Sequence, residues 1–245
     1  RPLERSIGTL MTIAENIARI RANMAAAARE AGRDPKEILL VGASKMNDAA
    51  ACREAVAAGI DALGENRVQE MTAHLDDDAY AGAALHFIGH LQTNKVRQVV
   101  GRVELIESVG SEHLLEAIEA QAAKLELVQD ILLEVKIGGE ASKSGISPEE
   151  LSALAAQAVG SPHVRLRGLM AIPPVAAGPD GNRPFFAKMR QLYVDIRSQM
   201  DDNKTSFDCL SMGMSGDFED AVREGATLVR VGTALFGPRP PMHKG

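Results

Sequence analysis

The sequence predicts a single (β/α)8 barrel, and three observations predict it. Short apolar runs alternate with segments of helical spacing along nearly the whole chain; eight such runs can be counted; and 245 residues is the usual size of one such barrel. Alternation of this kind implies parallel strands joined by right-handed crossovers. A doubly wound open sheet of eight strands satisfies the same periodicity, so at this point it stays open. No linker divides the chain, and residues 1–245 read as one domain.

The first element is a helix. Leu10, Ile13, Ile17, Ile20 and Met24 recur in steps that place them on one face, and Gly32 stops the run. The pattern suits an amphipathic helix packed on a domain better than a short coiled coil. The strands read as Ile38 to Ala43, Ile60 to Leu63, Leu85 to Ile88, Val103 to Ile106, Ile131 to Ile137, Leu166 to Ala171, Phe207 to Leu210 and Leu228 to Val231. Between them lie helical spacings such as Leu114, Leu115 and Ile118, or Leu151, Leu154, Ala155 and Val159. The Pro- and Gly-rich stretch from Pro173 to Pro184 follows the sixth strand, where a barrel keeps functional loops.

Composition removes several classes of function. The net charge is −6 with both signs interspersed, which argues against a nucleic-acid surface. No charged-then-apolar leader and no apolar run of about 20 residues is present, so neither a signal segment nor a membrane span is expected. Cys52 and Cys209 match no metal or redox spacing and fit a reducing, cytoplasmic compartment. His86 and His90 do not form a metal pair, because four residues along a strand span about 13 Å.

A barrel of this type carries its site at the carboxyl ends of the strands. Lys45 follows the first, almost wholly apolar strand, where partial desolvation favours a neutral, imine-forming amine; a lysine that merely reaches out to water is the alternative. After the seventh strand come Ser211, Gly213, Met214, Ser215 and Gly216, and after the eighth Gly232 and Thr233. Small residues expose backbone N–H groups, hydroxyls add donors, and phosphate commonly binds these two loops of a barrel. The competing reading makes Ser215 a helix cap and the glycines turns. Arg230 ends the last strand and could pair with a phosphate, a ring nitrogen or a neighbouring acid. Asn66 could contact a ligand or cap the helix starting near Val68. His90 could be a base or a wall, and Glu65 reads as structural.

At these residues the sequence resembles the pyridoxal phosphate homeostasis family, relatives of the amino-terminal barrel of alanine racemase. The matching stretches are LLVGASK, GENRVQE, HFIGHLQTNK, SKSGI, LRGLMAIP and LSMGMSGDFEDAVREGATLVRVGTALFG, in family order from Ile38 to Arg239. Ala43 before Ser44 and Lys45 is a small departure that leaves the lysine in place. The resemblance implies a fold-type III barrel that binds pyridoxal 5'-phosphate (PLP), with Lys45 as the Schiff-base lysine. It further implies Ser215, Gly232 and Thr233 as phosphate contacts, Arg230 facing the pyridine nitrogen, and Asn66 and Met214 lining the cofactor. Lys143, in SKSG, is the candidate for any secondary labelling. The resemblance implies that the chain buffers or delivers the cofactor within vitamin B6 metabolism, is cytosolic and often monomeric like its family, and has PLP-dependent apo-enzymes as expected partners.

Two functions follow from that resemblance, a PLP carrier and an amino-acid racemase. Arg230 remains protonated and is a poor proton donor to the ring nitrogen, which disfavours transamination but not racemisation. The racemases add a β-rich domain that supplies a tyrosine to the opposite face. This sequence ends a few residues after Phe236, and its only tyrosines are Tyr80, in the connection entering the third strand, and Tyr193, within a helix. The expectation is a carrier without efficient racemase activity.

Overall fold

The computed structural model describes residues 11–139, 144–175, 178–200 and 206–238. Eight parallel strands form a closed barrel in sequence order, and the pairing of β1 with β8 closes it. They are β1 Leu39–Ala43, β2 Ala62–Glu65, β3 Ala84–Phe87, β4 Leu105–Val109, β5 Gln129–Glu134, β6 Val164–Met170, β7 Cys209–Ser211 and β8 Leu228–Val231. Closure settles the open-sheet alternative, since no strand is left as an edge. Every predicted strand overlaps an observed one. The fourth shifts most in consequence: it continues past Ile106, so Glu107 and Ser108 belong to the strand.

Helices α1 Ile13–Glu30, α2 Ala49–Ala57, α3 Val68–Asp76, α4 Glu112–Lys124, α5 Pro148–Val159, α6 Arg183–Gln199, α7 Phe218–Arg223 and α8 Thr233–Phe236 surround the strands. The β3–β4 connection is a 3₁₀ helix, Thr93–Gln98, rather than an α-helix. Polar caps set several starts: Thr12 accepts from Glu15 N–H, Asp48 from Ala51, and Ser111 from Leu114.

α1 is the extra helix. Its buried face is Asn16, Ile17, Ile20, Met24, Ala27 and Ala28, so the apolar spacing reads as predicted. It ends with Gly32 N–H on Arg29 O and Arg33 N–H on Ala28 O. Leu10 lies outside the described residues. The helix packs against α7, α8 and α2, across the β8–β1 closure. Asn16 Nδ2 donates to Leu235 O at 2.9 Å and Arg33 to Val222 O at 2.7 Å, which ties α1 to the elements that follow β7 and β8.

The core has two shells. A large one lies between strands and helices and includes Leu40, Leu63, Phe87, Ile106, Leu115, Phe186 and Phe207. A small one fills the barrel lumen with Val41, Ala62, Leu105, Leu132, Met170, Cys209 and Leu228. Side chains alternate across a strand, so residues two further along four of these strands also point inward. Those residues are Glu107, Glu134, Ser211 and Arg230, and all are buried. The carboxyl-terminal part of the lumen is therefore polar.

Candidate cofactor site

Strand order decides which sequence-predicted residues meet. Ala43 of β1 is level with Gly64 of β2, so Lys45 and Asn66, each two residues further, stand at adjacent strand ends. Gly42 of β1 is level with Val231 of β8, which places Gly232 and Thr233 beside the strand carrying Lys45. A Cβ on Gly232 would come within 3.3 Å of Ala43 O. Met214 and Ser215 follow β7, the next strand round. The ends of β7, β8, β1 and β2 are consecutive around the barrel, and they collect the seven predicted residues on one rim.

The loop after β7 is shaped by Gly213. Its φ is +101°, and a Cβ there would sit 2.6 Å from Ala221 Cβ and 3.0 Å from Phe218 Cα. Only glycine meets both demands. Gly213 O accepts from Arg230 N–H at 2.9 Å, so the turn is registered on β8. Beyond it Met214 N–H donates to Asp217 Oδ1 at 2.7 Å, and Ser215 Oγ accepts from Ala234 N–H at 3.2 Å. That last bond joins the two small-residue loops into one cup. The cap reading of Ser215 does not hold: Asp217 stands at the cap of α7 and Gly232 at that of α8, and the Ser215 hydroxyl instead accepts from the first turn of α8. Met214 is exposed at the rim.

Lys45 lies half-buried in a tight turn closed by Asn47 N–H on Ser44 O, with Met46 in the left-handed region at φ 64°. Glu70 Oε2 accepts from Met46 N–H at 3.0 Å and pins that conformation. One residue earlier, Ser44 is fully buried, and its Oγ donates to Glu65 Oε1 at 2.7 Å. The same oxygen accepts from Tyr80 Oη at 2.8 Å and lies 2.7 Å from His74 Nδ1. Glu65 is thus the structural post expected, and it holds the tips of β1 and β2 together just before Lys45 and Asn66. Potential ligand atoms of Cys52, Glu65 and His74 lie within 4.8 Å of one another. We read the cluster as a hydrogen-bonded hub, because three partners already crowd one carboxylate oxygen.

Asn66 does not cap α3. Arg67 holds the cap position and makes no side-chain cap bond. Gly89 explains the close packing here, since a Cβ on it would fall 2.1 Å from Asn66 O. His90 is exposed past β3, while His86 is buried and bonded to Glu107 Oε2 at 2.8 Å. Lys143 lies outside the described residues.

Arg230 is the charged centre of the lumen and is 2% exposed. Its Nη2 donates to Ala171 O at 3.0 Å and its Nη1 to Ser211 Oγ, which in turn donates to Glu107 Oε1. Burial pulls the guanidinium below its usual range, and the nearby carboxylates of Glu107, Glu134 and Asp217 oppose that pull. Burial would raise Glu107, but the His86 bond and charge, then Arg230 and Ser211, hold it below the ordinary carboxylate range. Sequence reading missed Glu107 and placed Ser211 in the following loop. The signal was present: in β4, β5, β7 and β8 a polar residue stands two places after a lumen-filling one.

A family model described as alanine racemase, N-terminal domain, matches residues 16–240. The chain is 41% identical over 229 residues to the pyridoxal phosphate homeostasis protein of Aquifex aeolicus, covering 94% of this chain and 99% of that one. Among solved structures, PipY of Synechococcus elongatus with PLP bound is 36% identical. It superposes with a TM-score of 0.81 over 92% of this chain and 100% of its own. An alanine racemase of Clostridium difficile shares 15% identity at a TM-score of 0.70, covering 95% of this chain and 58% of that one, a likeness of fold alone. By the family model and by identity over nearly its whole length, the chain belongs to the alanine racemase N-terminal domain family and, within it, to the pyridoxal phosphate homeostasis proteins.

Proposed function

We propose that this chain binds PLP at the rim formed by β7, β8, β1 and β2, holds it on Lys45, and buffers or delivers it to PLP-dependent apo-enzymes. The observation that carries the reading is convergence. One amine, one buried guanidinium and a cup of small residues and hydroxyls stand at four consecutive strand ends. That donor set suits the cofactor's chemistry: an aldehyde, a ring nitrogen and a phosphate. Membership of the homeostasis family, and a PLP-bound relative at 36% identity, support it independently.

When bound, PLP supplies a reactive aldehyde and an aromatic ring that withdraws electrons. In this reading Lys45 would hold the aldehyde carbon through its amine, and would be freed again either by water, which returns the aldehyde, or by an acceptor amine, which takes the carbon over in its place. Ser215, Gly232 and Thr233 offer the phosphate neutral donors, which bind an anion reversibly. Arg230 donates to the ring nitrogen without giving up its proton. Asn66 and Met214 flank the ring. The expected outcome is a yellow protein in which borohydride fixes the cofactor to one peptide containing Lys45. The reading fails if Lys45→Ala gives the same reduced adduct at the wild-type yield.

A further inference from the structure

The barrel holds a chain of hydrogen bonds that none of the rim contacts requires. His86 of β3 meets Glu107 of β4, Glu107 accepts from Ser211 of β7, and Ser211 accepts from Arg230 of β8. β4 and β7 are not neighbours, so the middle bond crosses the lumen. Arg230 Nη1 also lies 3.9 Å from Glu107 Oε1. All four side chains are buried.

The chain has two ends. One is Arg230, under the rim. The other is His86, which lines a cavity of about 400 Å³ at the opposite, amino-terminal mouth of the barrel. That cavity is bordered by Glu37, Asp61, Glu104, Asp130, Asp208 and Arg167, with Asp130 and Asp208 paired to Arg167 and Asp61 to Arg21. Beside the relay itself stand Glu134 of β5, Cys209 of β7 and Asp217 beyond it. A buried polar network of this length is costly unless each member is satisfied, and a purely structural need for it is hard to find where apolar residues fill the layer below.

We propose that Glu107 and His86 are positioning residues for Arg230, and that through Ser211 they set how strongly its guanidinium donates to the ring nitrogen of the bound cofactor. Glu107 orients Ser211 as acceptor and balances the arginine's charge. His86 fixes Glu107 and connects it with the basal mouth. The inference rests on the PLP reading above. It adds that the electronic state of the cofactor is controlled from the far end of the barrel.

The test uses full-length protein loaded with PLP. Glu107→Gln and Ser211→Ala should still be trapped on Lys45. The balance between the two absorbing forms of the bound cofactor should shift by about tenfold, the scale for losing one charge-assisted bond. Glu107→Asp should restore part of the wild-type balance. Should a lumen variant fail to fold, the wild type gives a second readout. With ¹⁵N-histidine labelling, and His86→Gln to assign the signal, the His86 ring resonances should move as PLP is titrated in, although His86 lies outside the rim. Wild-type trapping with unchanged variant spectra and unmoved His86 resonances overturns the relay and leaves the Lys45 reading standing. Absence of trapping in the wild type overturns both.

Discussion

Gly213→Ala is the sharpest structural test of the proposed phosphate cup. The residue sits at φ +101°, and its new Cβ would meet Ala221 Cβ at 2.6 Å and Phe218 Cα at 3.0 Å. A left-handed backbone costs an L-residue about 1–2 kcal/mol. Overpacking against a buried helix costs about 1–3 kcal/mol more, because Ala221 and Phe218 are themselves fixed in the core. A loss of about 2–5 kcal/mol is therefore expected, a large part of the roughly 5–15 kcal/mol that holds a typical domain together. For a chain this long it lowers Tm by on the order of 5–15 °C. Calorimetry reads the loss. Gly216→Ala is the control: nothing lies within 4 Å of its added Cβ, and it should stay within about 0.5 kcal/mol of wild type. PLP affinity should fall in Gly213→Ala as well, because the turn carries Met214 and Ser215 and is bonded to Arg230 N–H. A Gly213→Ala protein with the wild-type Tm would refute the account of this turn.

Two further outcomes follow from the buried titratable groups. Burial pushes the Cys52 and Cys209 thiols up to about 12, so neither should react with a thiol reagent at neutral pH until the chain unfolds; rapid native labelling of Cys52 would show that the outer shell opens, and of Cys209 that the lumen does. Glu107 is held below the ordinary carboxylate range, so it stabilises the fold above its unfolded value, near pH 4.3, and that contribution is lost as pH falls through the lower, folded value. Denaturant titrations across the acid limb should therefore show a shallower loss for Glu107→Gln than for wild type, from a lower starting stability; equal slopes would contradict the assignment.

The fold was legible because eight β/α units leave a strong periodic trace and because apolar strands buried on both faces read as continuous runs. Strand ends were less so. β4 runs on through Glu107 and β7 ends on Ser211, polar residues that the apolar pattern could not count as strand. These are the inward residues that build the polar lumen, so the error in boundary and the missed network have one cause. The α-helix expected between β3 and β4 is a 3₁₀ helix, since Thr93, Asn94, Lys95 and Arg97 leave Val96 as its only buried residue. At the rim, local sequence gave Lys45, Ser215 and Gly232 their places through strand order alone. It could not show that Ser215 reaches across to Ala234, nor that Glu65 is the post behind Lys45, because both depend on contacts between separate units.

The last question is whether a rim of this kind turns over amino acids. Racemisation removes a proton on one face and returns it on the other, so it needs two positioned acid–base groups. In the proposed site Lys45, once displaced by a substrate amine, would serve as one. The tyrosines do not serve the other. Tyr80 is buried in the α3–β3 connection with its hydroxyl on Glu65, and burial together with that carboxylate raises its proton affinity far above the usual range. Tyr193 is buried in α6 with its hydroxyl on Phe207 O at 3.1 Å. His90 and Lys95 stand beyond β3, outside the four strand ends of the proposed site, and both are exposed. Where a second positioned acid–base group is lacking, the rate falls about 10²- to 10⁴-fold. The expected outcome with alanine, serine and other common amino acids is slow or undetectable racemisation, alongside measurable transfer of PLP to an apo-enzyme. Chiral chromatography after incubation with each L-amino acid decides it. Turnover of about 1 s⁻¹ or more, abolished in Lys45→Ala, would make the chain an enzyme and refute the carrier reading. If His90→Gln also abolished it, the second group would be identified on the β3 side of the rim.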